Sequence, residues 1–410
     1  MPSPSSARLC PVCLNLGFRR TLHRQRFEQG VLGDGYDVVV CGDCGAGFAD
    51  GIPSQSELDS YYAERSKYSY DGASGAESIY DRRRFELIAD QVAPFLSSGD
   101  ARILDIGCAT GGLLSVFKQR GYRSVLGADP ASACAAAAVR LHRVEVRTAT
   151  LGQLATWTER FDIILMVGVL EHLRDVRPAL RTIANLLNPG GLLFVAVPDV
   201  DGLAASRNAP FQQFSMEHVN FFSVQSLDRT IAAEGFAPLR HWQDMIEWSE
   251  GVTEPVLAGL FRLETVQPSN RPTVRPSNSS TVPDSITEPA LNRYIASSTA
   301  ADLAIREKIE ALVQSRRPIL IWGAGALTRR LLASTPLVNA NIAAFVDSSS
   351  HLQGSLLAGK TILAPAQLAE RTEPILICSV AFEREIARTI RDRLKLPNEL
   401  ITLSSGRPTV

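Results

Sequence analysis

Apolar runs and amphipathic stretches alternate along this chain in a regular order. Between about residues 100 and 262, ARILDIG, SVLGAD, FDIILMVG and GLLFVAVP read as strands, while GGLLSVFKQRG, VRPALRTIANLL and SVQSLDRTIAAEG read as helices. Near-continuous apolar strands separated by helices predict a parallel sheet covered on both faces. A second pattern of this kind follows near the C-terminus. There PILIWGAG, IAAFVD and PILICS are the strands, LTRRLLAST and EREIARTIRDRL the helices, and LNRYIASSTAADLAIREKIEALVQS a helix leading in. Upstream of both lie short alternating stretches such as YDVVV, a tyrosine-rich segment, and the amphipathic run IYDRRRFELIADQVAPFL, which predicts a helix.

Between the two α/β patterns, TVQPSNRPTVRPSNSSTVPDS is rich in Pro, Ser, Asn and Thr. Such a stretch buries too little apolar surface to offset the entropy of ordering, so it reads as a linker. The predicted organisation is a small module over residues 1–60, a doubly wound α/β domain with a helical lead-in over 61–262, a linker over 263–290, and a second Rossmann-like α/β domain over 291–410.

Composition narrows the function classes. A length of 410 residues implies two or three domains, and 45% hydrophobic with 21% charged residues is ordinary for a globular protein. A formal net charge of −1 gives no global field toward nucleic acid or an anionic membrane. The opening MPSPSSARLC has no apolar signal core, and no apolar run reaches bilayer-spanning length, so a cytoplasmic address without membrane partners is expected.

Four of the seven cysteines form two Cys-x-x-Cys knuckles, Cys10–Cys13 and Cys41–Cys44. Two such knuckles supply four thiolates to one tetrahedral ion, a closed shell that serves structure rather than catalysis. Structural Zn²⁺ is therefore expected, and it would contribute much of the folding free energy of a segment with little core. Free thiols are the plainer alternative, and redox pairs a further one. Cys108 and Cys134 read as packing thiols.

The run ILDIGCATGG follows a strand and opens a helix. Its small residues let the backbone approach a ligand closely, and Asp129 at the end of the next strand is suited to accept ribose hydroxyls. Further on, Glu171 and His172 follow the strand FDIILMVG at the edge where ligands bind in such sheets. FQQFSMEHVNFFS sets Glu217 beside His218 among aromatic residues, and a histidine titrates near neutrality, as proton transfer requires. A histidine satisfying a loop is the bland alternative. Tyr61, Tyr62, Tyr68 and Tyr70 either cover a pocket or pack and anchor the segment.

The stretch from Leu104 to Gly111 resembles the first motif of the class I S-adenosylmethionine-dependent methyltransferases, with Ala109 where glycine is usual. FDIILMVGVLEHLRDVRPAL resembles the same family's fourth-strand motif. The resemblance implies cofactor binding by Asp105, Gly107, Cys108, Ala109, Gly111, Asp129, Val167 and Glu171. The order of a cysteine module, a methyltransferase core and a C-terminal α/β domain resembles the sugar C-methyltransferases, which act on nucleotide-linked keto-sugars. Their Tyr-His-Glu-His stretch matches here at Glu217 and His218 only; Ser215 and Met216 fill its first two positions. A closer likeness, through Tyr61-Tyr62 and the run Glu217 to Ser223, is to bacterial methyltransferases of polysaccharide and other sugar pathways. These resemblances imply methyl transfer to a small-molecule acceptor, a sugar or nucleotide-sugar, with His218 as general base, Glu217 as its partner and His172 in reserve. Two other readings stay open. One is a nucleic-acid methyltransferase gripping RNA through the module, whose Arg19, Arg20, His23, Arg24 and Arg26 are basic. The other is a non-catalytic binding protein of the same fold.

In the C-terminal domain, Gly323 and Gly325 precede a helix and Asp347 ends the next strand, but Thr328 occupies the third glycine position. The sugar C-methyltransferase resemblance implies that this domain helps hold a nucleotide-sugar; tight dinucleotide binding and a purely structural or dimerising role are the other readings. Arg329 and Arg330 read either as phosphate contacts or as exposed helix charges.

Overall fold

The computed structural model describes residues 8–30, 32–65, 77–264 and 282–403. Strands β1 (Arg19–Arg26), β2 (Gly35–Cys41) and β3 (Gly47–Asp50) form an antiparallel meander. Helices α1 (Gln55–Arg65) and α2 (Ile79–Val92) follow. A capping box between Ser78 and Asp81 starts α2, and the chain leaves it as a short 3₁₀ turn at Pro94.

The central domain runs β4 (Arg102–Ile106), α3 (Gly112–Gln119), β5 (Ser124–Asp129), α4 (Ser132–His142), β6 (Glu145–Thr148), α5 (Leu151–Leu154), β7 (Phe161–Val167), α6 (Val176–Leu186) and β8 (Leu187–Pro198). It continues through β9 (Asn220–Phe221), α7 (Val224–Ala232), β10 (Phe236–Ser249) and β11 (Val252–Leu263). Its seven-stranded sheet has the order β10-β11-β8-β7-β4-β5-β6. The expected parallel sheet is thus corrected to a mixed one: β11 runs antiparallel to β8 and to β10. The reason is local. β10 and β11 are joined by a tight turn at Glu250-Gly251, and so short a connection can only join antiparallel neighbours.

Successive residues of β4 face opposite layers. Ile103 packs with Val116, Phe117 and Phe194 under α2 and α3, whereas Leu104 and Ile106 pack with Ile164, Leu180 and Ile183 under α6. Both layers are fully buried at their centres; truncating Phe194 to alanine should destabilise by about 3–5 kcal/mol.

The first sheet is not self-contained. β9 adds to its edge, pairing Phe48 with Asn220, so the sheet order is β1-β2-β3-β9. The buried Arg8 guanidinium donates to the Val219 carbonyl at 2.8 Å and to Asn220 Oδ1 at 2.7 Å. The segment carrying Glu217 and His218 is thereby fastened to the cysteine module.

The C-terminal domain comprises α8 (Thr287–Ser315), β12 (Ile319–Trp322), α9 (Ala326–Ser334), β13 (Ile342–Val346), β14 (Leu356–Leu357), β15 (Lys360–Leu363), β16 (Ile375–Ile377), α10 (Glu383–Arg388) and β17 (Leu400–Thr402). Its sheet order is β14-β15-β13-β12-β16-β17. Helix α8 begins inside the span read as linker. Asp284 accepts from the Ile286 and Thr287 N–H groups at 2.9 and 3.1 Å and so starts the helix early. Most of the expected linker, residues 265–281, lies outside the described residues. Among the described residues no helix is long and apolar enough to cross a membrane.

Candidate active site

The order of the central sheet reverses between β4 and β7, and a cleft opens there past the C-terminal ends of the strands. It measures about 2170 Å³ and takes residues from all three parts of the chain. Gln29, Tyr61 and Tyr62 come from the N-terminal part, Gly107, Asp129 and His218 from the centre.

The loop after β4 turns with positive φ at Gly107 (+72°), Ala109 (+49°) and Gly111 (+79°). Side chains at the two glycines would collide, since a Cβ on Gly107 would lie 2.5 Å from Val169 and one on Gly111 2.5 Å from Val144. The methyl of Ala109 fits sterically, but its left-handed backbone carries a strain of roughly 1–2 kcal/mol that glycine would lack. Asp129 steadies this turn. Its two carboxylate oxygens accept from the N–H groups of Ala109 and Ala131, both at 2.9 Å. Burial nevertheless holds its carboxyl above the usual carboxylate range. An oxygen that accepts one N–H keeps a second lone pair, so Asp129 retains capacity toward ligand hydroxyls in the cleft.

Asp105 is buried beneath the loop, and burial together with the Asp129 charge raises its carboxyl well above the ordinary value. Cys108 and Gly111 also lie behind the cleft wall. The Cys108 sulfur packs against Gly127, and Gly111 caps α3. Of the residues expected around a cofactor, Gly107, Ala109, Asp129, Val167 and Glu171 line the cleft.

Across from the loop, the 3₁₀ turn Leu170–His172 and the segment before β9 converge. The rings of His172 and His218 meet edge to face with centroids 4.9 Å apart. His172 Nδ1 lies 2.9 Å from the Glu217 carbonyl and 3.1 Å from the Tyr62 hydroxyl. His218 Nδ1 lies 3.0 Å from Gln213 Oε1. Burial, and then the neighbouring His172, push the His218 ring down to about 3, so it is neutral near pH 7. Glu171 is 4% exposed, and its carboxyl is raised by burial. The Glu217 carboxylate does not partner His218 as expected. It accepts from the Tyr61 hydroxyl at 2.6 Å, because its side chain turns toward α1 while its carbonyl serves His172. Tyr61 and Tyr62 therefore both pack and line the cleft; Tyr68 and Tyr70 lie outside the described residues.

Sequence reasoning missed Gln213 and Tyr294. Buried Tyr294 on α8 accepts from the Gln213 N–H at 2.9 Å, so the lead-in helix of the C-terminal domain positions the residue that holds His218. The doubled glutamine beside FSMEH was the only available signal for the first; nothing local marks the second.

In the N-terminal module the four knuckle sulfurs converge. Cys10 and Cys44 lie 3.6 Å apart, as do Cys13 and Cys41. A tetrahedral ion with bonds of about 2.3 Å to sulfur sets sulfur–sulfur edges of roughly 3.8 Å, so the set fits such an ion. The basic residues of β1 are largely committed within the chain: Arg19 pairs with Asp50, Arg20 with Glu288, and Arg26 with Asp37.

In the C-terminal domain, Gly323 (φ +105°) and Gly325 follow β12, and Ala324 donates its N–H to Asp347 at 2.8 Å. Thr328 folds back onto the Gly323 carbonyl at 2.6 Å. Neither arginine is an exposed helix charge. Arg330 is buried against Asp302 at 2.8 Å, and Arg329 donates to the Ala324, Glu28 and Gln29 carbonyls. Ala324, Gly325 and Arg329 line the shared cleft.

Residues 80–241 match a family described as a methyltransferase domain, and residues 315–402 match one described as C2185-like, N-terminal. A ubiquinone biosynthesis O-methyltransferase of Rhizobium rhizogenes is 45% identical over 100 residues, 23% of this chain and 40% of that protein. The protein of the same description from Chelativorans sp. is 46% identical over 101 residues, 23% and 39% of the two chains. The chain thus spans about 40% of the length of these curated relatives. Among solved structures, an S-adenosylmethionine-dependent methyltransferase from Mesorhizobium loti aligns at 18% identity and a TM-score of 0.35, over 42% of this chain and 96% of its own. Together with the reversal in sheet order, the glycine loop after β4 and the acid ending β5, the family match shows that residues 80–241 carry a class I S-adenosylmethionine-dependent methyltransferase domain.

Proposed function

We propose that this protein transfers a methyl group from S-adenosylmethionine to a hydroxyl oxygen of a small acceptor, a sugar carried on a nucleotide. S-Adenosylmethionine supplies an already activated methyl group, so the chain's own work is to hold two ligands and manage one proton. Gly107, Ala109 and Asp129 would hold the adenosine end, with Asp129 accepting from the ribose. Val167 and Glu171 would border the methionine end. His218, neutral and with Nδ1 engaged by Gln213, presents its other nitrogen as proton acceptor, and His172 stands beside it.

The observation that carries the acceptor class is the shared cleft. The glycine turn of the C-terminal domain, through Ala324, Gly325 and Arg329, opens into the same space as the methyltransferase loop and His218. A second nucleotide-type turn facing the first suits an acceptor with a nucleotide handle. The O-methyltransferase descriptions of the relatives favour oxygen over carbon. The pairing of the β1 arginines within the chain disfavours an RNA acceptor, which would need free clustered cations. Incubation with methyl-labelled S-adenosylmethionine and a panel of nucleotide-sugars, read by mass spectrometry, should yield a labelled sugar. His218→Ala should lower turnover ~10²–10⁴-fold with cofactor affinity unchanged. A panel that stays unlabelled while an RNA or quinone-type phenol is labelled would reverse the acceptor assignment.

The four knuckle cysteines would hold one structural Zn²⁺, tying β2 to the segment before β1. Metal analysis should find that equivalent, and Cys13→Ser should lose it and lower the melting temperature; a folded, zinc-free wild-type protein would refute the assignment.

A further inference from the structure

We propose that Glu171, His172 and His218 form a second metal site, distinct from the cysteine cluster, that takes a first-row divalent cation and presents it to the acceptor hydroxyl. The role at the hydroxyl rests on the methyl-transfer reading above; the metal site itself does not. One carboxylate oxygen and one nitrogen from each ring lie within 4.8 Å of one another, and His172 Nε2 is 3.8 Å from Glu171 Oε1. Adjacent ligands on an ion with bonds of about 2.1 Å sit roughly 3 Å apart, so modest side-chain rotation would close the set.

The hydrogen bonding around the rings points outward from a common centre. His172 Nδ1 faces the Glu217 carbonyl, which can only accept, so Nδ1 carries the proton and Nε2 the lone pair. His218 Nδ1 faces Gln213 Oε1. With that amide oxygen, an acceptor, at Nδ1, His218 likewise carries its proton on Nδ1 and its lone pair on Nε2. A ring nitrogen bonded to a carbonyl oxygen, leaving the opposite nitrogen bare, is the arrangement metal-binding histidines adopt.

Glu171 supplies the independent observation. It is 4% exposed, and its Oε2 is buried without a hydrogen-bond partner among the described residues. One oxygen of this carboxylate is thus buried and unsatisfied while the other lies 3.8 Å from His172 Nε2, and a buried carboxylate in that state lacks a cation to complete it.

Two imidazoles and one carboxylate favour Mn²⁺, Fe²⁺, Co²⁺ or Zn²⁺ and leave coordination positions open. A hydroxyl bound there releases its proton to water more readily, as metal-bound water does. His218 would then act on the acceptor through the ion rather than by taking the proton itself. Gln213 is a positioning residue for this site.

The test is titration of the full-length protein with Mn²⁺, followed by electron paramagnetic resonance, with S-adenosylhomocysteine affinity measured on the same samples. The wild-type protein should bind about one Mn²⁺ per chain, since four thiolates are poor ligands for this harder ion. Glu171→Gln and His172→Ala should abolish that binding. Gln213→Leu, away from the expected cofactor contacts, should weaken it by about 10–100-fold while leaving S-adenosylhomocysteine affinity unchanged. Wild-type protein that binds no Mn²⁺, or Gln213→Leu and Glu171→Gln proteins that bind it like wild type, would overturn the proposal. Mn²⁺ binding with these losses, but no S-adenosylhomocysteine binding, would uphold the metal site and sink the methyl-transfer reading alone.

Discussion

Two glycine turns face each other across one cleft, and their backbones do nearly the same thing. After β4, Ala109 gives its N–H to Asp129 at 2.9 Å and Ala131 gives a second at 2.9 Å. After β12, Ala324 gives its N–H to Asp347 at 2.8 Å and Ser349 gives a second at 2.8 Å. Their surroundings differ. The first turn follows a buried acid, Asp105, and looks toward Glu171, His172 and His218. The second follows Trp322, closes on its own Thr328, and has Arg329 tied to carbonyls of the N-terminal part. The turn-and-acid geometry is thus a property of a strand–turn–helix unit, whereas the chemistry lies in what neighbouring elements bring to it.

The comparison breaks most sharply at the two acids. Asp129→Ala removes the acceptor expected for the ribose and the anchor of the Ala109 turn. By calorimetry it should weaken S-adenosylhomocysteine binding by about 100-fold, the loss of two hydrogen bonds to a charged group at about 1.5 kcal/mol each. Asp347→Ala should leave that affinity within a factor of about two, since its turn holds another ligand or none. Equal losses at both sites would erase the functional distinction between the turns.

A smaller effect separates the glycines. Gly111→Ala forces a side chain onto a φ of +79° and against Val144, and should lower stability by roughly 1–3 kcal/mol in denaturant unfolding. Gly325 has a φ of −82° and open space around its Cβ position. Gly325→Ala should be neutral or stabilising by up to about 1 kcal/mol. The smallest effect is in pH. Asp129 is held above the usual carboxylate range, so it gains its proton earlier on acidification than an exposed aspartate. S-Adenosylhomocysteine affinity should therefore be full near neutrality. It should fall with decreasing pH, beginning above the unperturbed Asp value of about 3.9. Affinity unchanged down to that value would contradict the burial of the Asp129 charge.

Much of this was legible because buried parallel strands write themselves as apolar runs. β4, β5, β7 and β8, and later β12, β13 and β16, fall on such runs, and Asp129 and Asp347 stand at the ends of β5 and β13. The knuckles were legible from spacing alone. β10 was not: FAPLRHWQDMIEWS exposes most of one face and carries charges throughout, so no apolar run marks it. α4 is alanine-rich with a weak apolar stripe, and β9 is a two-residue strand created by pairing with β3. At the site, adjacency misled. Glu217 and His218 are neighbours in sequence, yet the carboxylate turns to Tyr61 and the ring to Gln213. Which partner a buried polar group finds depends on elements as distant as α8, and that information is tertiary.

The most direct measurement is a crystal structure with S-adenosylhomocysteine bound. Its ribose hydroxyls should lie on Asp129, its adenosine beside Gly107 and Ala109, and its sulfur toward His172 and His218. A nucleoside seated at Asp347 instead, or a vacant crevice at Asp129 under saturating ligand, would contradict it.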